Sequence, residues 1–179
     1  MTELSSGEQA RKARTTAKTL VLGVGNPILS DDGVGIHVLR QLEKKYWGIA
    51  GLEFDELFTG GLSLAERFVG YEKVIMIDAL ALEAGQPGEV HRLSIDDFKK
   101  TVRSYCVHDC NLATAYELLK KELGAEQLPQ DVTIIAIEAL ELNEFGETLS
   151  EPVKQAIPKA IALVEQELAE LLQKKCSDA

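Results

Sequence analysis

Short apolar runs alternate with helically spaced apolar positions along most of the chain. Leu20 to Val24 is a run of the length of a buried strand. Val34, Val38, Leu42 and Tyr46 then return every four residues, the spacing of one helix face. Leu52 to Phe58 predicts a second strand, followed by Gly60-Gly61 and a short helix through Ala65 and Phe68. Lys73 to Asp78, KVIMID, predicts a third; it is the most apolar of the set, which places it centrally. Glu89 to Leu93 predicts a fourth strand after the turn residues Gly85 and Pro87-Gly88. Only about ten residues without a helical pattern precede it, too few for a parallel crossover, so it is expected to run antiparallel. A helix from Asp109 to Leu123, a fifth strand from Val132 to Ile137, and a last helix with Val153, Ile157, Ile161, Val164, Leu168 and Leu171 on one face complete the pattern. The expected fold is a three-layer α/β sandwich with a mostly parallel five-stranded sheet, its fourth strand antiparallel. Residues 1–18 are polar and read as a flexible leader, leaving 19–179 as a single domain without internal repeat or interior linker.

Charge narrows the classes of function. With 19 Lys and Arg against 29 Asp and Glu, the net charge is -10, which argues against nucleic acid and suits a cationic partner or a metal ion. No apolar run approaches the ~20 residues of a membrane span, and the N-terminal stretch lacks the apolar core of a secretory signal. Three cysteines do not make a disulfide framework, so a cytoplasmic location is expected.

Sheets of this kind bind ligands outside the carboxyl ends of their strands. The chemistry-bearing residues there are Asn26, Asp31 and Asp32 after the first strand, Glu56 near the end of the second, and Asp78 closing the third. His108 stands just before a helix, and Glu138 follows the fifth strand.

The stretch GVGNPILSDDGVG, Gly23 to Gly35, opens like a nucleotide-binding turn. The dinucleotide fingerprint requires a third glycine three residues after the second, and Ile28 occupies that position. Two carboxylates follow where a pyrophosphate would sit, and no lysine lies in the loop. Such carboxylates suit the positive end of a helix but repel phosphate, so nucleotide binding is not expected. Asp31 is open to a simple reading as a helix cap, which explains a second, adjacent Asp32 less well.

Asp78 serves equally as a turn residue or a functional group from position alone. Of three histidines, His37 shares a helical face with Arg40, Gln41 and Lys44, and His91 sits in a strand beside Arg92; both are expected at the surface. His108 lies in a short connection leading to a helix. An imidazole with two carboxylates suits a borderline divalent metal such as zinc or nickel. Cys106 and Cys110 flank His108 and by themselves suggest a thiol site, although free cysteine also packs as a small hydrophobe.

GVGNPILSDDGVG after a first strand ending LVLGVGN resembles the hydrogenase maturation endopeptidases. TGGLSL at Thr59 to Leu64, IDAL at Ile77 to Leu80, VHDCNL at Val107 to Leu112 and LSEPVKQAIPKAIALV, with its internal Pro158, resemble further segments of that family in order. The resemblance runs from Thr19 to about Leu171. It implies an endopeptidase that removes a C-terminal extension from the large-subunit precursor of nickel-iron hydrogenases. It places the metal-contacting and catalytic positions on Asp32, Asp78 and His108. The nickel it implies is carried by the precursor and bound transiently, with cleavage after a His or Arg near the precursor's last cysteine motif. An acidic position that is often Asp in the family is Glu56 here. No GxSxG elbow and no compelling Cys-His-Asn order is present, so hydrolysis without a Ser or Cys nucleophile is expected. Two rivals stay open on sequence: a non-catalytic protein binding the nickel-loaded precursor through the same three ligands, and a thiol hydrolase built on Cys106 or Cys110.

Overall fold

β1 (Thr19–Val24) is buried at all six positions. Its Leu20, Leu22 and Val24 face one core and Val21 the other, which is why its residues read as an unbroken apolar run. The computed structural model describes residues 19–82, 84–97, 112–169 and 172–173. A 3-10 turn (Ser30–Gly33) leads from β1 into α1 (Val34–Tyr46). β2 (Leu52–Leu57), α2 (Leu62–Glu66), β3 (Lys73–Leu80) and β4 (Val90–Ser94) follow. α3 (Leu112–Leu123), β5 (Asp131–Glu138) and α4 (Glu151–Glu167) close the series.

The sheet order is β2-β1-β3-β5-β4. β1 pairs parallel with β2 and β3, β3 pairs parallel with β5, and β4 runs antiparallel against β5. The expected three-layer architecture, the central place of β3 and the reversed fourth strand are all present. Phe68, Leu112, Ala115 and Leu119 cover one face of the sheet with α2 and α3. Val34, Val38, Leu42, Val153, Ile157 and Val164 cover the other with α1 and α4. Pro158 lies inside α4 on its exposed side, where the carbonyl it leaves unbonded can meet water. The last turn of α4 is tied to the sheet by Glu167, which accepts from Lys73 Nζ at 2.7 Å and Arg92 Nε at 2.6 Å. Burial opposes the charge on Glu167, but those two bonds prevail and hold its pKa below the ordinary value.

One boundary shift bears on the site. β3 runs on to Leu80, because Ala79 and Leu80 remain buried and paired with β5. Asp78 therefore lies two residues inside the strand's carboxyl end and does not close it. The expected α3 start at Asp109 lies outside the described residues, as do residues 1–18. No helix among the described residues is long and apolar enough to cross a membrane.

Candidate functional site

The loop after β1 is shaped by its own backbone contacts. Gly25 has φ +123°, and a Cβ there would sit 1.9 Å from the Asp32 carbonyl oxygen, so only glycine fits. The turn that resembled a phosphate cradle instead folds back onto Asp32. Asn26 N–H donates to Asp32 Oδ2 at 2.7 Å, and Asp32 N–H to the Leu29 carbonyl at 2.9 Å. Gly35 then lets α1 start close against the sheet: a Cβ there would lie 2.4 Å from the carbonyl oxygens of both Val24 and Ile77. This approach lays the 3-10 turn carrying Asp32 against β3.

Asp78 belongs to β3, one residue after Ile77, and its Oδ1 accepts from Ala79 N–H at 2.9 Å. Asp32 and Asp78 are 8% and 6% exposed, so both carboxylates are buried at the carboxyl edge of the sheet. A neighbouring backbone N–H sets the direction of each. His108, Cys106 and Cys110 lie outside the described residues; α3, which follows them in the chain, begins with Leu112 packed in the core on the Met76 and Leu80 side of β3. Asp78 alternates with those two residues and so shares their face. Among the described residues no three metal-ligating side chains come together.

Asp31 does not cap α1, whose N-terminus has no side-chain cap. It is fully buried and accepts from Leu140 N–H (3.0 Å), Glu141 N–H (3.2 Å), Ser150 N–H (2.7 Å) and Ser150 Oγ (2.8 Å). Ser150 is the N-cap of α4. The first aspartate of the pair is thus a tie between the β1 loop, the loop after β5 and the last helix. Glu56 likewise has a structural partner: Arg40 of α1 grips it through two bonds of 2.7 and 2.9 Å.

Two side chains read as ordinary surface groups are not. His37 is half-buried and lines a cavity of about 310 Å³ with Pro27, Ile28, Arg40 and Glu147. Burial, then the charge of Arg40, holds its pKa below the usual histidine value. His91 Nε2 is buried and lies 3.8 Å from Glu138 Oε2, and neither atom has a hydrogen-bond partner. Glu138 is 2% exposed, and its other oxygen accepts from Leu82 N–H at 2.6 Å. Burial pushes its pKa up. The sequence signal for this pair was the alternation of His91 with Leu93, which faces the core of α3. His91 and Asp78 both register with Ala136 on β5, so they lie in one row across the sheet.

Comparison with known proteins converges on one family. Residues 36–167 match a family model described as hydrogenase maturation protease. The protein FrxA of Pyrococcus furiosus is 31% identical over 137 residues, covering 76% of this chain and 94% of the relative. The nickel-iron hydrogenase maturation protease HybD from Thermococcus kodakarensis superimposes with a TM-score of 0.67 at 27% identity, covering 83% of this chain and 97% of that one. The hydrogenase maturating endopeptidase HybD from E. coli gives 0.70 at 24% identity over 86% and 93% of the two chains, a likeness of fold.

Proposed function

Because the chain belongs to the hydrogenase maturation protease family, we propose that it is a cytoplasmic endopeptidase that removes the C-terminal extension of a nickel-iron hydrogenase large-subunit precursor once nickel has been inserted. The observation that carries this reading is that two carboxylates from separate segments, Asp32 and Asp78, are both buried at the carboxyl edge of the sheet, on a 3-10 turn and a strand that pack against each other. Keeping two carboxylates out of water costs free energy, and a cation held by both would offset part of it. Two carboxylates and an imidazole suit nickel, a borderline divalent ion. In this reading Asp32, Asp78 and His108 hold the nickel that the precursor brings, and the nickel is part of the substrate.

Each residue then has a distinct task. Asp32 and Asp78 offer carboxylate oxygens, each oriented by a local N–H from Asn26 or Ala79. His108 supplies the nitrogen ligand. Asp31 grips the surrounding loops so that Asp32 keeps its place. Gripping the metal brings the peptide bond after a basic residue into the cleft, where water hydrolyses it. An empty precursor offers nothing to hold, so metal loading becomes a checkpoint. The test is incubation with nickel-loaded precursor followed by mass spectrometry of the large subunit. Loss of a discrete C-terminal peptide is expected; stable binding without loss of mass would favour a non-catalytic binding protein.

A further inference from the structure

Eight large apolar side chains are exposed among the described residues, and five of them, Ile28, Phe58, Leu62, Leu140 and Phe145, follow the carboxyl ends of β1, β2 and β5. Singly exposed apolar residues call for no explanation, but a group of them at one end of a sheet does. Ile28, Leu140 and Phe145 are 50%, 61% and 86% exposed. Backbone bonds stitch their loops together: Ser30 N–H donates to the Gly146 carbonyl at 2.7 Å and Gly146 N–H to the Ile28 carbonyl at 3.0 Å. Asp31 ties the same loops to α4 through Ser150. The patch is therefore held in place before anything binds, which lowers the cost of ordering it on association. It begins four positions before Asp32 in the chain and borders the 310 Å³ cavity lined by Ile28, His37 and Glu147.

Acidic residues interleave with the apolar ones. Glu144 and Glu147 are exposed on either side of Phe145-Gly146. Resting on the function proposed above, we infer that Ile28, Leu140 and Phe145, with Glu144 and Glu147, form the docking surface for the precursor polypeptide beside its scissile bond, and that the docked segment carries an apolar side chain next to a basic one. The apolar side chain lies on Ile28 and Phe145, beside the cavity that Pro27, Ile28, His37, Arg40 and Glu147 line. The basic group lies against Glu147 and Glu144, matching a chain whose net charge is -10.

The test compares the wild-type chain with the double variant Ile28→Ser/Phe145→Ser, the charge reversal Glu144→Lys/Glu147→Lys, and Trp47→Ser. Trp47 is 77% exposed at the far end of α1, beside the amino ends of the strands. Half-saturating precursor concentration and saturated rate are read in single-turnover cleavage of nickel-loaded precursor. The apolar double variant is expected to raise the half-saturating concentration about tenfold, more than it lowers the saturated rate, as loss of interface anchors does. Charge reversal is expected to weaken binding in a way that added salt diminishes, and Trp47→Ser to change neither quantity. An unchanged half-saturating concentration in the apolar variant, while wild type cleaves, overturns the docking surface and leaves the protease reading standing. Failure of wild type to cleave sinks the protease reading itself. Sedimentation showing a wild-type dimer that Ile28→Ser/Phe145→Ser dissociates would give the patch to a second copy of this chain and overturn the assignment.

Discussion

Gly35 faces the carbonyl oxygen of Ile77 so closely that a methyl group on its Cα would stand 2.4 Å from that oxygen, and equally close to the oxygen of Val24. This contact joins the first turn of α1 to the strand that carries Asp78. Both obstructing atoms are backbone inside a buried sheet, so neither can move aside cheaply. Gly35→Ala should destabilise the fold by about 1–3 kcal/mol, as other overpacked interiors do, and should also lower cleavage by pushing Asp32 away from β3. Urea unfolding and single-turnover cleavage measure the two effects; full activity and stability would show that the close approach is not required.

The adjacent aspartates should separate cleanly by phenotype. Asp31 satisfies four donors on two other segments, so Asp31→Ala should cost about 3 kcal/mol, since buried donors lose a charged acceptor. Asp32→Asn and Asp78→Asn keep an oxygen for their backbone donors and should remain near wild-type stability, yet lose cleavage. Thermal unfolding beside the cleavage assay distinguishes the cases, and an active Asp32→Asn chain would remove that residue from the site.

Glu138 gives a pH dependence of defined sign. Burial, with a smaller push from Glu89, raises its pKa above the ordinary 4.5 despite the Leu82 N–H and the facing His91. The folded protein therefore holds a proton that the unfolded chain releases, and stability linked to this group is full below pH 4.5 and lost as pH rises through the folded value. Glu138→Gln does not titrate and keeps an acceptor for Leu82 N–H. Its stability relative to wild type should grow as pH is raised from about 4 toward 7. A difference independent of pH, followed by urea midpoints, would contradict this account.

Among the histidines and cysteines, loss of function should be confined to one residue. His108→Ala should abolish cleavage, whereas His37→Ala, His91→Ala, Cys106→Ala and Cys110→Ala should each retain most of it. Inactivity of both cysteine variants, with circular dichroism unchanged, would instead favour a thiol hydrolase.

Much of the fold was legible because its signals are local. Buried strands announce themselves as apolar runs, and the short connection before Val90 was enough to reverse β4. That Asp32 and Asp78 lie at the carboxyl edge of the sheet was legible for a related reason, since each follows a strand or lies near the end of one in the chain. What sequence could not settle depends on distant partners. Asp31 and Asp32 look alike in the chain, and only the arrival of Ser150 from 119 residues away makes the first a structural tie. His91 reads as a surface residue until the antiparallel register brings it to Glu138. Glu56 reads only as an acidic residue near a strand end until α1 brings Arg40 to it.

In the proposed function this protease recognises nickel already inside its substrate. The most direct measurement is single-turnover cleavage of the same large-subunit precursor in nickel-loaded and nickel-free forms, followed by mass spectrometry. The loaded precursor should lose its C-terminal peptide while the empty one stays intact, and Asp32→Asn, Asp78→Asn and His108→Ala should erase the difference by cleaving neither. Equal cleavage of both forms by the wild-type chain would contradict the claim.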